Sequence, residues 1–144
     1  MPSLFSAVLA GRRPLNLGAR DGRLAPPKRS PNCVSSQADP SDAQHYVAPI
    51  AYKAATPRAM AAAKRAIQSM ERSQVVREEP GYLYAEFASK LLGFVDDLEL
   101  LYDEKRGLFH VRSASRLGRR DFGVNRKRIE ALRARLSPAE RTVS

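Results

Sequence analysis

Residues 93–136 read GFVDDLELLYDEKRGLFHVRSASRLGRRDFGVNRKRIEALRARL, and this stretch decides the predicted fold. Two β-prone segments, 94–102 and 108–114, flank a turn at residues 103–107, which is typical of a hairpin. A basic helical segment follows, whose apolar residues recur every three or four positions. Acidic, hydroxyl and guanidinium groups are concentrated here, so the stretch also predicts a functional site.

The register of this hairpin follows from keeping the apolar side chains of both strands on one face. Leu98 opposite Val111 and Leu100 opposite Phe109 satisfy this condition with a short connecting loop. The other face of the hairpin is then polar. This register predicts two structural ion pairs across the strands, Asp97 with Arg112 and Glu99 with His110.

The chain before the hairpin predicts one more helix and two more strands. Thr56 and Pro57 form a helix start signal, and an apolar stripe predicts a helix over residues 57–72. Alternating residues predict strands over 74–78 and 82–89. Short connections between the four strands favour an antiparallel meander. The predicted fold class is α+β, with an antiparallel sheet of about four strands and two helices packed on one face.

Length and proline content predict the domain boundaries. The 144 residues fit a single domain. We expect residues 1–16 to be a disordered or partner-bound N-terminal segment, residues 17–138 to form one α+β domain, and residues 139–144 to be a frayed tail. Residues 12–44 are loop-like because they are rich in proline, and we expect part of them to pack along the domain as an extended arm.

The net charge of +10 predicts an anionic partner. Basic residues are concentrated at both ends of the chain, which fits an anionic small ligand, an acidic protein partner, nucleic acid or an acidic membrane surface. No apolar run approaches the roughly 18–20 residues of a membrane-spanning helix, so we predict no transmembrane segment. The expected location is the cytoplasm, with a peripheral membrane contact through the N-terminal segment as the alternative.

The end of the hairpin and the start of the final helix supply candidate ligand-binding residues. Strand alternation places Arg112 and Arg116 on one side, where two guanidinium groups can bind a carboxylate or phosphate. If Asp121 begins the helix, Asn125 points inward. The candidates from this pattern are Arg112, Ser113, Ser115, Arg116, Asp121 and Asn125. The alternative is that the arginines form cross-strand ion pairs that hold the sheet together.

Residues suited to nucleophilic catalysis or metal binding are sparse. Cys33 is the sole cysteine, and its candidate bases are His45 and His110. Neither Ser113 nor Ser115 stands in a nucleophile-elbow motif. No cysteine–histidine spacing typical of zinc is present, and we predict no metal and no cofactor. An enzyme that uses Cys33, or a serine with His110, stays the alternative to a non-catalytic protein.

Nucleic acid is a further alternative partner, because the final helix and its approach are basic. The residues concerned are Arg119, Arg120, Arg126, Lys127, Arg128, Arg133 and Arg135. Binding by such a helix would depend on salt. No motif of the common RNA-binding modules accompanies these residues, so the signal is general basicity.

Four motifs along the chain resemble those of a known family. They are DGRLAP at residues 21–26, SPNCVSSQ at 30–37, FVDD at 94–97 and RSASRLGRRDFGVNRKRIE at 112–130. In this order they resemble the bacterial and plastid family catalogued as domain of unknown function 1499, over about residues 17–136. The resemblance implies no activity, substrate or cofactor.

The resemblance also implies that the loop at residues 31–37 lies against the end of the hairpin. Four residues of the loop then join the candidate site: Asn32, Cys33, Ser35 and Ser36. We expect them to form one polar cluster with Arg112, Arg116 and Asp121. The leading interpretation is a non-catalytic binding or scaffold module that recognises an anionic small ligand or an acidic partner through an arginine, serine and asparagine cluster.

Overall fold

The computed structural model describes residues 11–89, 94–118 and 121–137. The elements in chain order are β1 (Cys33–Ser35), β2 (Ile50–Ala51), α1 (Thr56–Gln68), β3 (Ser73–Glu79), β4 (Tyr82–Ala88), β5 (Val95–Asp103), β6 (Leu108–Ser115) and α2 (Val124–Leu136). The predicted tail at 139–144 and residues 1–10 of the predicted N-terminal segment lie outside the described residues. In the described part of the chain, no helix is long and apolar enough to cross a membrane.

The strands form one antiparallel sheet in the order β1-β6-β5-β4-β3, and β2 also pairs with β6. The predicted α+β class with an antiparallel sheet is therefore confirmed, with six strands instead of about four. The two additional strands are β1 and β2, which are three and two residues long. Both precede α1 in proline-containing stretches. Residues 45–52 around β2 are a short apolar, β-prone run that Pro49 limits to an edge strand or an extended segment, and β1 is too short to show a pattern.

Both helices pack on the same face of the sheet, where the main core lies. Small residues of α1, among them Ala59 and Ala63, are fully buried and let this helix approach the strands closely. Ile129 and Leu132 of α2 are buried in the same core. The strands contribute their alternate residues, Leu83, Ala85, Phe87, Leu98, Leu100, Phe109 and Val111. The helical stripe predicted for α2 is confirmed, and it includes the buried Asn125.

The predicted register of the β5–β6 hairpin is wrong by two residues. Leu100 lies opposite Val111, and Tyr102 lies opposite Phe109. The turn explains the shift, because Gly107 has a φ of 66° and must lie inside the loop, not in the strand. The rings of Tyr102 and Phe109 then pack with their centroids 4.7 Å apart. A two-residue shift leaves each side chain on its predicted face.

Residues 11–28 form an extended arm that covers the face opposite the helices. The arm reverses at Asp21 and Gly22, both in the left-handed conformation, and Leu24 is buried with Tyr82 and Tyr84 of β4. It begins and ends beside β6, since Lys28 Nζ donates to the carbonyl of Ser115 at 2.5 Å. Residues 11–16 belong to the segment predicted to be disordered or partner-bound, and they contact the sheet through Arg13.

Candidate functional site

The candidate ligand-binding residues of β6 divide between the two faces of the sheet. Ser113 and Ser115 point toward α2, where both bond to Asn125. Arg112 and Arg116 point toward the arm, where they bond to Pro26 and Gly11. Successive residues of a strand face opposite ways, which explains the division. The described residues therefore form two polar clusters, one on each face of the sheet.

The helix-side cluster consists of Asp96, Ser113, Ser115, Asn125 and Arg128. Asn125 Oδ1 accepts from Ser113 Oγ at 2.6 Å and from Arg128 Nη1 at 2.7 Å. Asn125 Nδ2 donates to Ser115 Oγ at 2.9 Å. Arg128 also donates to Asp96 at 2.7 Å. These contacts use both the oxygen and the nitrogen of the Asn125 amide, and they hold the start of α2 against the start of β5 and the end of β6.

The arm-side cluster consists of Tyr82, Tyr84, Glu86, Asp97, Glu99, Arg112 and Arg116. Arg116 is its centre, because Nε donates to Asp97 Oδ2 at 2.9 Å and Nη2 donates to Tyr84 at 3.1 Å and to Glu86. Burial raises the pKa of Tyr84, and its hydrogen bonds to Asp97 and Glu86 raise that pKa further. Burial alone would raise the pKa of Glu86, but hydrogen bonds from Arg13, Tyr84 and Arg116 outweigh burial and lower that pKa. The guanidinium of Arg116 thus neutralises carboxylates of the sheet itself.

Glu99 lies deeper in the arm-side cluster and is 1% exposed. Its Oε2 accepts from the Gly18 backbone at 2.8 Å and from the Tyr82 hydroxyl at 2.5 Å. Arg112 Nη1 lies 4.0 Å from Glu99 Oε1, and Arg112 Nη2 donates to the Pro26 carbonyl at 3.2 Å. Among the residues that the structure describes, Glu99 Oε1 and Arg112 Nε have no hydrogen-bond partner. The arm therefore closes over a buried acid–arginine pair.

The two predicted ion pairs, Asp97 with Arg112 and Glu99 with His110, are wrong. Glu99 lies opposite Arg112, and Asp97 pairs with Arg116. His110 Nε2 instead lies 3.9 Å from an Asp103 carboxylate oxygen. The two-residue shift of the hairpin is the cause, because it moves every acidic residue of β5 to a new cross-strand neighbour.

The loop residues reach both clusters, because β1 pairs with β6. Cys33 lies opposite Ala114 and Ser35 opposite Arg112. Asn32 accepts through its backbone carbonyl from Asn125 Nδ2 at 3.1 Å, and its side chain donates to the Gly118 carbonyl. Ser36 Oγ accepts from the Val111 backbone at 2.8 Å. The single cluster expected from the resemblance is therefore split by the sheet.

The candidate nucleophile and its candidate bases do not meet. Cys33 is fully buried opposite Ala114, and His110 lies four residues from Ala114 along β6, about 13 Å away. His45 Nδ1 lies 2.7 Å from Asp42, and its Nε2 lies 2.9 Å from the Ser30 carbonyl. Burial lowers the pKa of His110. In the described ranges of the chain, no group of three or more metal-ligating side chains is present.

Two arginines of the basic helix hold α2 to the segment before β2. Arg126 Nη1 donates to the Tyr46 carbonyl at 2.7 Å, and Arg133 Nη1 donates to the Pro49 carbonyl at 2.7 Å. The sequence interpretation assigned these residues to nucleic-acid contacts and missed this structural role. Their seven-residue separation, two helical turns on one face, is the signal that could have indicated it. Arg119 and Arg120 lie outside the described residues.

A groove opens where β5 begins, β6 ends and α2 begins, and we call it the far-end groove. Its volume is about 350 Å³, and its walls include Phe94, Leu117, Phe122 and Val124. The described chain exposes five large hydrophobic side chains, and four of them are these wall residues. Asp96, Ser115 and Asp121 also line it. Sequence reasoning missed the four wall residues. A signal was present for three of them, because Leu117, Phe122 and Val124 are large apolar residues within the otherwise polar sequence LGRRDFGV at 117–124.

Phe122 is the most unusual residue of the groove. It is 86% exposed, and its φ of 53° is in the left-handed region that bulky residues avoid. Asp121 stabilises this turn by accepting from the backbone of Gly123 at 2.9 Å and of Asn125 at 3.1 Å. Burial alone would raise the pKa of Asp121, but its bonds to Asn125 and Gly123 lower it. The first turn of α2 is thus capped by the chain's own carboxylate.

Comparison with known families agrees with the motifs. The chain matches the family model described as protein of unknown function (DUF1499) over residues 23–136, which include β1 through α2 and all the groove walls. No curated protein and no solved structure matches the chain. Residues 11–22 of the arm precede the matched region. Since the match spans most of the 144 residues, the chain belongs to this family of proteins of unknown function.

Proposed function

We propose that this protein is a non-catalytic binding module that takes an acidic protein partner in the far-end groove. The observation that carries this proposal is the gathering of four exposed hydrophobic side chains around one groove. Scattered apolar residues are ordinary on a protein surface, whereas a contiguous patch marks an interaction site. Two of the predicted ligand-binding residues, Ser115 and Asp121, line the same groove.

The conformation of Phe122 supports a role for this side chain in binding. A bulky residue in the left-handed region costs about 1–3 kcal/mol, and an exposed ring recovers little of that cost within the folded chain. Burying the exposed ring under a partner would contribute about 2 kcal/mol. A strained and exposed aromatic residue is therefore better explained by a contact with another molecule.

The charge of the protein supports an acidic partner. Arg116 and Arg128 donate hydrogen bonds to carboxylates of the sheet, and Arg112 forms an ion pair with Glu99. The attraction we propose therefore comes from the remaining basic surface and the net charge of +10. A field of this sign accelerates association with acidic molecules, and salt weakens it. The groove walls then supply the apolar contacts that hold the partner in place.

The placement of the hydroxyl and thiol groups supports binding over catalysis. Ser113 and Ser115 are tied to Asn125, and Cys33 is buried without exposure. A nucleophile needs an adjacent base and access to substrate. The same contacts give these residues a structural purpose, because they hold α2 and β1 against β6.

The test uses anilinonaphthalene sulfonate, an apolar fluorescent probe with one negative charge. We expect the wild-type protein to bind it and Leu117→Ser to bind it about tenfold more weakly, because a buried leucine contributes about 1.5 kcal/mol. Leu15→Ser is the matched control, since Leu15 is 99% exposed outside the groove. The proposal fails if the wild-type protein does not bind, or if Leu117→Ser binds as tightly as Leu15→Ser.

The proposed attraction between the basic protein and an acidic partner has its own control. Phenylnaphthylamine has similar apolar rings without the sulfonate. We expect the sulfonate probe to bind more tightly than the neutral one at low salt, and the difference to shrink as salt is added. Equal affinity of the two probes at low salt would contradict an acidic partner.

A further inference from the structure

We infer that residues 3–10 of the same chain bind in the far-end groove and compete with the partner. This inference rests on the proposed function, because it concerns regulation of the same groove. The three observations behind it are the position of Gly11, the sequence that precedes Gly11, and the attachment of the arm that follows.

Gly11 lies at the edge of the groove. Its carbonyl lies 3.5 Å from Arg116 Nη1, which donates to it. A Cβ added to Gly11 would lie 3.2 Å from two side-chain carbons of Leu117, so the backbone is packed directly on this wall residue. Leu117 is 44% exposed and lines the groove. The chain therefore enters the described part of the protein beside the groove.

The residues before Gly11 match the apolar character of the groove. Residues 3–10 read SLFSAVLA, with four large apolar side chains and no charge. Eight residues can extend about 26 Å, so residues of this segment can reach the groove walls from Gly11. An uncharged apolar segment next to exposed apolar walls gains free energy by burying both surfaces.

The arm keeps this segment close to the groove. Arg13 donates to Glu86 at 2.8 Å, and the Gly18 backbone donates to Glu99 at 2.8 Å. A ligand tethered by so short a connection acts at an effective concentration in the millimolar range. Weak contacts are then enough for frequent occupancy. A partner gains in addition from charge attraction, which the uncharged segment lacks, so an acidic partner can displace it.

The direct experiment places a nitroxide spin label on the full-length chain at Ser6→Cys. The native Cys33 is fully buried, so the label attaches to the introduced cysteine. We expect the amide signals of the groove walls Phe94 and Val124 to broaden strongly. The internal control is the signal of Gly107, which precedes β6 and lies about 26 Å from Ser115 at the groove end of that strand. Equal signal loss in the groove and at Gly107 would overturn the inference.

The competition is measured with the sulfonate probe and the double variant Phe5→Ser, Leu9→Ser. If the segment occupies the groove about three-quarters of the time, the variant binds the probe about fourfold more tightly than the wild-type protein. If the double variant binds the probe with the same affinity as the wild-type protein, the inference that the segment competes for the groove is overturned.

The outcomes separate this inference from the proposed function. Probe binding in the groove without broadening overturns the inference and leaves the proposed function standing. If the groove signals broaden but the double variant does not bind the probe, the proposed function is overturned. The groove then binds only the segment of its own chain.

Discussion

Replacing Phe122 by asparagine is expected to stabilise the fold and to weaken binding. The φ of 53° costs a bulky residue about 1–3 kcal/mol, and asparagine adopts this conformation more readily. With 86% of Phe122 exposed, the burial lost is worth only about 0.2–0.4 kcal/mol. The expected net effect is a gain of about 0.5–1.5 kcal/mol in the free energy of unfolding.

Two assays measure the two effects on the same protein samples. Urea denaturation gives the free energy of unfolding, and the melting temperature should rise by about 2–5 °C. Titration with the sulfonate probe should show affinity at least about tenfold lower, because the most exposed apolar wall of the groove is gone. Stability should rise while probe affinity falls. Replacing a residue that served only the fold would instead lower the free energy of unfolding.

Phe122→Ala is the matched control for the backbone. Alanine removes the ring but keeps the cost of the left-handed conformation, so it should lose binding without the gain in stability. A loss of more than about 1 kcal/mol in Phe122→Asn would show that the ring supports the fold. That result, or unchanged probe affinity, would refute the reasoning about this residue.

Three further predictions concern the two polar clusters and the His45–Asp42 pair. Arg116→Ala leaves the buried carboxylate of Asp97 unpaired and should cost about 3–5 kcal/mol in urea denaturation. Asn125→Ala removes the partners of both serines and of Arg128 and should cost about 2–4 kcal/mol in the same assay. His45 has a raised pKa, because Asp42 and the Ser30 carbonyl outweigh the effect of burial, so its contribution to stability is present below about pH 6.5 and is lost as the pH rises through the folded pKa. Asp42→Asn should therefore lower stability more at about pH 5.5 than at about pH 8.5.

Each of these predictions has a control on the same chain. Arg13→Ala removes an exposed partner of Glu86 and should cost less than about 1 kcal/mol. Lys127→Ala changes an exposed residue of α2 and should change stability by less than about 0.5 kcal/mol. The pKa of His110 is lowered, so its effect on the pH dependence of stability is opposite to that of His45. His110 is present in both the wild-type protein and Asp42→Asn, so its effect cancels in the comparison. An equal effect of Asp42→Asn at both pH values would contradict the assignment to His45.

The parts of the fold that sequence reasoning predicted depend on local periodicity. Alternation along β4 separates Leu83 and Phe87 from Tyr82 and Tyr84, and the structure places these pairs on opposite faces. The spacing of Asn125 from the apolar residues of α2 likewise indicated that its amide points inward, where it is buried. Both inferences need only the geometry of a single element.

The parts that sequence reasoning missed depend on contacts between elements. Two registers of the hairpin keep the same faces, and the conformation of Gly107 decides between them. The far-end groove brings together Phe94 just before β5, Leu117 just after β6 and Phe122 from the turn before α2. No local pattern connects these three residues. The sequence predicts a site near Ser115 and Asp121, but the apolar walls of that site could be identified only from the folded structure.

Mapping the sulfonate probe onto the full-length protein by ¹H–¹⁵N chemical-shift perturbation tests the proposed site most directly. We expect the largest shifts at the residues that surround the far-end groove, Phe94, Leu117, Phe122 and Val124. These shifts should be lost in Leu117→Ser. Largest shifts elsewhere in the described chain, with the groove signals unchanged, would contradict the claim that this groove is the binding site.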